Sequence, residues 1–306
     1  MPGGLRVAAI DCGTNSLRLL ALERRPDGQV VELARQLRLV RLGQGVDATG
    51  EFAPEALRRT FAALAEYAGL LREWGVERVR FVATSAARDV TNTEEFLDGV
   101  AERLGRPAEI ITGAEEAALT FAGALVGAPE PAQPVLVTDI GGGSTELVVG
   151  TDRIERAVSI DMGSVRIRER FLAGDPPTAA ELATATEFID AQLDLFELAD
   201  VRGWVGLAGT ITTMAALRLG LVDYDRAAIQ GLTMDRVAID AVAHRLCVTP
   251  TAQLVSPLMP PLRAEVIASG ALICSRIAAR VDAPMIVSEH DLLDGIAQEL
   301  LAESGH

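Results

Sequence analysis

One short unit of this chain is written twice. Residues 5–22 read LRVAAIDCGTNSLRLLAL, and 128 positions on, residues 135–150 read VLVTDIGGGSTELVVG. Without gaps, Asp11 meets Asp139, Gly13 meets Gly141, Ser16 meets Ser144 and Leu19 meets Leu147. Each copy is an apolar strand, an aspartate near its end, a turn of small residues and a second apolar strand. A duplicated strand–turn–strand unit, each copy followed by further strands and helices, predicts an α/β chain of two related lobes facing each other across a cleft.

The rest of the chain can be assigned around those two copies. At 306 residues it has room for two domains, and the one linker-like stretch is APEPAQP at 128–134. We expect lobe I over residues 1–121 and lobe II over 122–291. VVELARQLRLVRLG continues the strand pattern, GQGVDATG reads as a glycine-rich loop, and the apolar spacing after Pro54 predicts a helix over 54–73. VERVRFVATSA reads as a strand entering a loop. TNTEEFLDGVAERLG reads as a helix with a capping box from Thr91 to Glu94. EIITGAEEAALTFAGALVG, WVGLAGTITTMAALRLG and APMIVSEHDLLDGIAQELL each read as strand, turn and helix.

Charge and composition exclude several functions. The formal net charge of −15 disfavours a general nucleic-acid binder, which needs a positive field. Residues 1–121 carry −3 and residues 122–306 carry −12, so a polyanion should meet the first half or a local arginine cluster. All 28 basic residues are arginine. With no lysine, a Walker A loop, a protein-kinase strand lysine and Schiff-base chemistry are excluded. Cys12, Cys247 and Cys274 are scattered, with no zinc or disulfide pattern. The first residues run straight into an apolar strand, so no secretory signal is expected, and no apolar run of about 18 residues occurs in the sequence. A cytoplasmic protein without a membrane partner is the expectation.

The repeated turn points to a ligand. Small residues between two strands present backbone N–H groups around a concave space, a nest suited to phosphate oxygens. The candidates are Gly13, Thr14, Asn15 and Ser16 in the first turn, and Gly141, Gly142, Gly143, Ser144 and Thr145 in the second. A carboxylate beside each turn would repel phosphate unless a cation intervenes. Asp11 and Asp139, with Glu146 as a third candidate, therefore imply a hard divalent ion, Mg²⁺ first and Mn²⁺ as the alternative. Arg18, a further phosphate-binding candidate, stands where the second copy has Glu146, so the two lobes are not chemically equivalent there. In ITGAEEA, Thr112 and Glu115 fit a capping box, and Glu116 points about 100° further round the helix.

These stretches carry a resemblance. AIDCGTNSLRLL with VTDIGGGSTELVVG resembles the paired phosphate loops of the exopolyphosphatase / guanosine pentaphosphate phosphatase family. That family lies within the acetate- and sugar-kinase, heat-shock chaperone and actin superfamily. ATSAARDVTN, ITGAEEAALTFAG, SIDMGSVRIRERF and GLAGTITTMAAL follow in the family's order, so the likeness spans nearly the whole chain. It implies two ribonuclease H-like, actin-like ATPase lobes with an interdomain cleft, with a C-terminal helix (292–306) packing back on lobe I. It implies phosphatase rather than kinase chemistry, with Glu116 as the catalytic glutamate and Arg88 on the phosphate. Ser85, Gly209 and Thr210 fall in matching small-residue turns. Homodimerisation is a further expectation from the family. The extra C-terminal helical domain of longer members is not expected here, and on that expectation the resemblance favours short chains.

The expected activity is thus Mg²⁺-dependent removal of the terminal phosphate of inorganic polyphosphate. Its alternatives are guanosine pentaphosphate (pppGpp) 5′-phosphohydrolase, a polyphosphate/nucleotide phosphotransferase and a non-catalytic sensor. Two other features weigh less. Arg166, Arg168 and Arg170 form a run that reads as a solvated helix face or a holder of distal phosphates. His290 lies in SEHDLLDG, where Ser288 and Asp291 fit a capping box. With His244 in a helix and His306 terminal, no histidine cluster forms.

Overall fold

A computed structural model describes residues 4–126 and 131–302. The start of the linker-like stretch, 128–130, and His306 lie outside the described residues. The chain divides into two compact units, Met1–Gly123 with Leu292–His306, and Ala124–Asp291.

The first unit holds β1 (Leu5–Cys12), β2 (Ser16–Arg24), β3 (Val30–Leu39), β4 (Arg78–Ala83) and β5 (Glu109–Ile110), in the sheet order β3-β2-β1-β4-β5. β1–β2 and β2–β3 are antiparallel, while β1–β4 and β4–β5 are parallel. Antiparallel neighbours need only a tight turn, whereas each parallel step needs a crossover. Helix α1 (Pro54–Glu73) provides the first crossover and α2 (Thr93–Leu104) the second. Helix α3 (Gly113–Ala124) follows β5.

Strand alternation sorts the sheet into two faces. Ala8, Ile10 and Cys12 of β1 join Leu57, Leu64 and Tyr67 of α1 and Phe96 of α2 in one core. Val7 and Ala9 join Leu20, Val82 and Leu119 in another. With both faces covered, the strand reads as an unbroken apolar run, and Asp11 is the polar end of the second face.

The second unit repeats that path with β6 (Val135–Ile140), β7 (Thr145–Gly150) and β8 (Ile154–Ile160). Helices α4 (Ser164–Phe171) and α5 (Ala179–Leu193) precede β9 (Gly203–Leu207) and α6 (Ala208–Leu219). Then come β10 (Thr233–Met234), α7 (Arg236–Val248), α8 (Ile267–Ala278) and β11 (Met285–Val287). The order β10-β11-β9-β6-β7-β8 matches the first sheet strand for strand, with β10 added antiparallel at the edge. Its core, from Leu136 through Trp204 to Val287, lies wholly within this unit.

Helix α9 (Leu292–Ala302) belongs to the first unit. It places Leu292, Leu293, Ile296 and Leu300 on the second face of that sheet. A Cβ at Gly295 would stand 2.2 Å from the Leu119 carbonyl oxygen, so the bare residue lets α9 lie directly on α3. Arg35 of β3 fastens the helix by donating to both Asp294 oxygens at 3.1 and 2.7 Å.

Several local expectations are corrected. GQGVDATG contains a helical turn, Val46–Thr49, bounded by Gly45 and Gly50 in left-handed conformation. Thr91 and Glu94 form no capping box. Asn92 precedes α2 instead, and its amide exchanges hydrogen bonds with both backbone groups of Phe52. Ser288 accepts from the His290 N–H at 3.1 Å, two residues on, so it closes a tight turn ahead of a helix that begins at Leu292. No described helix is long and apolar enough to cross a membrane.

Candidate functional site

The two turns have the same construction. Gly13 N–H donates to the Ser16 carbonyl at 2.9 Å, and Gly141 N–H to the Ser144 carbonyl at 3.0 Å. In each unit the chain after the third strand docks on the turn and takes up its carbonyls. Thr14 O accepts from Gly43 N–H, and Asn15 O accepts from the N–H groups of Val40 and Arg41. Likewise Gly141 O accepts from Ser164 N–H, and Gly142 O from those of Val165 and Arg166. Arg166 Nε adds a bond to Gly143 O at 3.0 Å. In a trans peptide C=O and N–H point oppositely. The N–H groups of Asn15 and Ser16, and those of Gly142, Gly143 and Ser144, are therefore turned away from the docked segment. That is the donor array a phosphate requires.

Close approach is enforced by two glycines outside the paired turns, Gly43 at the start of GQGVDATG and Gly163 within SIDMGSVRIRERF. A Cβ on Gly43 would lie 2.3 Å from Thr14 Cγ2, and one on Gly163 would lie 2.3 Å from the Gly142 carbonyl carbon. Neither position was picked out from the sequence, because the turns they press against are distant in it.

Asp11 and Arg18 stand directly opposite each other on β1 and β2. Arg18 Nε and Nη2 donate to Asp11 Oδ2 at 2.9 and 2.6 Å. This revises both assignments: part of the positive charge ascribed to a metal at Asp11 is supplied by Arg18, whose guanidinium is engaged there. Nearby, the Thr14 and Ser85 hydroxyls share a hydrogen bond of 3.1 Å, which ties the first turn to the single helical turn Ser85–Arg88 after β4. Arg88 Nη1 donates to the Ile111 carbonyl at 2.9 Å and to Glu116 Oε2 at 3.0 Å.

Glu116 is 8% exposed. Its carboxyl is raised to about 7, chiefly by burial and further by Asp11, against the opposing pull of Arg88 and Arg18. Five sequence candidates (Asp11, Thr14, Arg18, Ser85 and Arg88) thus gather with Glu116 in one unit. Glu115 behaves differently from expectation. Thr112 Oγ1 accepts from its N–H at 3.2 Å, but its carboxylate does not close a capping box. It binds Arg80 instead.

In the second unit Asp139 and Glu146 are directly opposed on β6 and β7. Both are buried, and Ser159 Oγ donates to Glu146 Oε1 at 2.7 Å. Like charges directly opposed on one face of a sheet repel, and a divalent cation would relieve that repulsion. The pair suits Mg²⁺, which is commonly held by one or two carboxylates with water and phosphate oxygens. Among the described residues no group of three or more His, Cys, Asp or Glu is placed to hold a metal. Of the three expected ligands, Asp11 lies in the first unit and the opposed pair Asp139 and Glu146 in the second.

Other candidates separate. Thr145 is fully buried and its hydroxyl donates to the Met162 carbonyl, so it holds the fold together rather than facing a phosphate. Arg166 lies on the glycine turn, and Arg168 donates to the Gly174 carbonyl at 2.9 Å. Arg170 is exposed. Residues two apart on a helix face different ways, so the run is not one binding surface.

Gly209 and Thr210 open α6. Beside them lies Arg263, unforeseen from the sequence, which donates to Thr213 Oγ1 at 2.8 Å; a Cβ on Gly209 would sit 3.2 Å from its Nη2. The turn begins at Ala208 with φ 69°, and Arg41, beside the first turn, has φ 47°. Left-handed backbone at a residue with a Cβ costs roughly 1–2 kcal/mol, and here it falls next to candidate binding turns in both units.

Comparisons with known proteins agree with this layout. The model of the Ppx/GppA phosphatase family matches residues 23–303. Exopolyphosphatase 2 of Mycobacterium tuberculosis is 46% identical over 314 aligned positions, covering 96% of this chain and 98% of that protein. A solved exopolyphosphatase-like protein superposes with a TM-score of 0.91 at 39% identity, covering 98% and 99% of the two chains. The Aquifex aeolicus member of the Ppx/GppA family superposes with a TM-score of 0.81 at 32% identity, covering 99% of each.

Proposed function

The chain belongs to the Ppx/GppA phosphatase family, and from that premise we propose that it is an exopolyphosphatase, with Glu116 as the base that activates water. The observation that carries the assignment is the Glu116–Arg88 pair beside the first turn. A carboxyl raised to about 7 is divided between its two forms at neutral pH. Its ionised form is a stronger base than an ordinary carboxylate, so taking a proton from the attacking water is less unfavourable, while enough of it stays ionised to act.

Hydrolysis of a terminal phosphoanhydride needs little covalent chemistry from the protein and much positioning. In this reading the turned-out N–H groups of Asn15 and Ser16 bind oxygens of the terminal phosphoryl group. Arg88, a planar donor fork suited to carboxylate and phosphate alike, holds Glu116 Oε2 and faces the charge that develops on transfer. Glu116 takes the proton from the attacking water, and the leaving polyphosphate keeps the bridging oxygen. Asp139 and Glu146 would hold Mg²⁺, which supplies charge neutralisation for phosphate oxygens when bound. The family resemblance also carries the expectation of a cytoplasmic homodimer, and sedimentation velocity on the purified chain checks the dimer.

The test is phosphate release from linear polyphosphates of defined length and from pppGpp, which presents the same terminal bond, with Mg²⁺ and with EDTA. We expect release from polyphosphate, lost in EDTA, and a fall of about 10²–10⁴-fold in kcat for Glu116→Gln. A Glu116→Gln enzyme with wild-type turnover would refute the assignment. Preference for pppGpp would move the substrate and leave the chemistry in place.

A further inference from the structure

Resting on the reading of Glu116 as the base, we infer that Arg80 is a positioning residue for it. Arg80 fixes the rotation of the first turn of α3 by binding Glu115 while Arg88 binds Glu116.

Arg80 lies in β4, on the same face as Val82, opposite Ala9 of β1. Its guanidinium gathers carboxylates from three elements. Nη2 donates to Glu115 Oε1 of α3 at 2.7 Å; Nη2 and Nε donate to Glu109 Oε2 of β5 at 2.9 and 3.1 Å; Nη1 donates to Glu299 Oε2 of α9 at 2.8 Å. The same β4 segment, past its C-terminal end, supplies Arg88 to Glu116 and to the Ile111 carbonyl. Between these points the ladder pairs Val82 with Glu109 and Ala83 with Ile110, and Ile111 N–H donates to the Ala83 carbonyl.

Residues 115 and 116 project about 100° apart on the helix. Packing at Leu119 and Gly295 holds the body of α3. Arg80 of β4 and Arg88 of the helical turn after it, on adjacent carboxylates, fix the angle of its first turn. Gly295 of α9 meets the backbone of α3 at Leu119, and Glu299 on that helix returns to Arg80, so the far side of α3 is fastened through the same guanidinium.

The carboxylates around Arg80 are 43–55% exposed, and ion pairs so open to water add little to stability. Their worth lies in geometry. A small roll of α3 would move the Glu116 carboxylate off Arg88, and displacements near 1 Å are expensive in catalysis.

The experiment measures kcat, KM and the pH profile of kcat on a short linear polyphosphate with Mg²⁺, for Arg80→Gln, Arg80→Lys, Glu115→Gln, the double variant Arg80→Gln/Glu115→Gln, and Glu116→Gln. We expect Arg80→Gln to lose roughly tenfold in kcat, with KM nearly unchanged and the acidic limb of the profile displaced. Arg80→Lys should recover part of the loss, since lysine keeps the charge but not the donor fork. Glu115→Gln should reproduce the defect, and the double variant should add nothing further, as coupled partners do. Wild-type kcat and pH profile in both Arg80→Gln and Glu115→Gln would overturn the inference, and so would a kcat loss matched by a loss of folded protein with the limb unmoved. An active Glu116→Gln refutes the reading of Glu116 itself. An inactive Glu116→Gln beside unaltered Arg80 and Glu115 variants refutes the positioning role alone.

Discussion

Glu116 sits on a helix that also carries Glu115, and their environments set them apart. Glu115 meets Arg80 at the solvent edge, whereas Glu116 is buried against Arg88 and feels Asp11 and Arg18. Its raised carboxyl has a stability consequence. From pH about 4.5 upward the unfolded chain releases this proton while the folded protein keeps it until about 7. Stability is therefore lost across that window and stays lower above it. Glu116→Gln has no such loss. It should match wild type near pH 4.5 and become more stable through pH 7, by on the order of 3 kcal/mol at most, read as the difference between urea unfolding curves at successive pH values. For catalysis the sign reverses: the ionised base is required, so kcat/KM, which follows the free enzyme, should fall on the acid side of about 7. Arg88 lowers that carboxyl, and Arg88→Gln should move the acidic limb upward while also lowering kcat. A limb that moved down would contradict the pairing.

At the scale of elements, the turns work because other segments lie on them. Gly163 precedes α4 and admits the Gly142 peptide group to a distance no Cβ allows. Gly163→Ala should cost about 1–3 kcal/mol by overpacking and weaken phosphate binding, because α4 must withdraw from the glycine turn. Gly69 is the natural control. It lies within α1 with nothing within 4 Å of a Cβ, and Gly69→Ala should stabilise by about 0.5–1 kcal/mol. Thermal unfolding of the two variants, with polyphosphate binding measured for the first, separates the effects. The capping boxes read from sequence do not form, and the one that does was not picked out. α5 has a full Thr178–Glu181 capping box, whereas the same pattern at Thr91–Glu94 yields to the bonds between Asn92 and Phe52. A side chain with several partners in reach takes the one tertiary packing provides.

At the scale of the whole molecule, the cores are separate. One lies wholly in the second unit, and two cover the faces of the first unit's sheet. The second of those faces depends on α9, so a chain ending at Asp291 would expose Val7, Ala9, Leu20 and Val82. We expect that truncation to unfold the first unit and abolish turnover, while residues 124–291 survive as a protease-resistant core; digestion of the whole unit at the same rate would contradict this. Charge acts at this scale too. The net −15 repels a polyphosphate at long range, so binding falls to the local donors of the turns and Arg88.

The paired strand–turn–strand units, the two related lobes and the polar ends of β1 and β6 were legible because they are periodic and local. Alternation at period 2 places Asp11 and Asp139 on a sheet face, and small residues mark the turns. The ordered motifs then led to Glu116 and Arg88. What tertiary structure alone decided is which charges meet. Arg18 could have faced a phosphate, but its place opposite Asp11 commits it to that carboxylate. Arg80, Gly43, Gly163 and Arg263 carry no sign of their roles in the stretches that hold them, and acquire those roles from neighbours tens to hundreds of residues away. The carboxyl of Glu116 rises because packing removes water from it, and desolvation belongs to the folded surroundings rather than to any residue or its spacing.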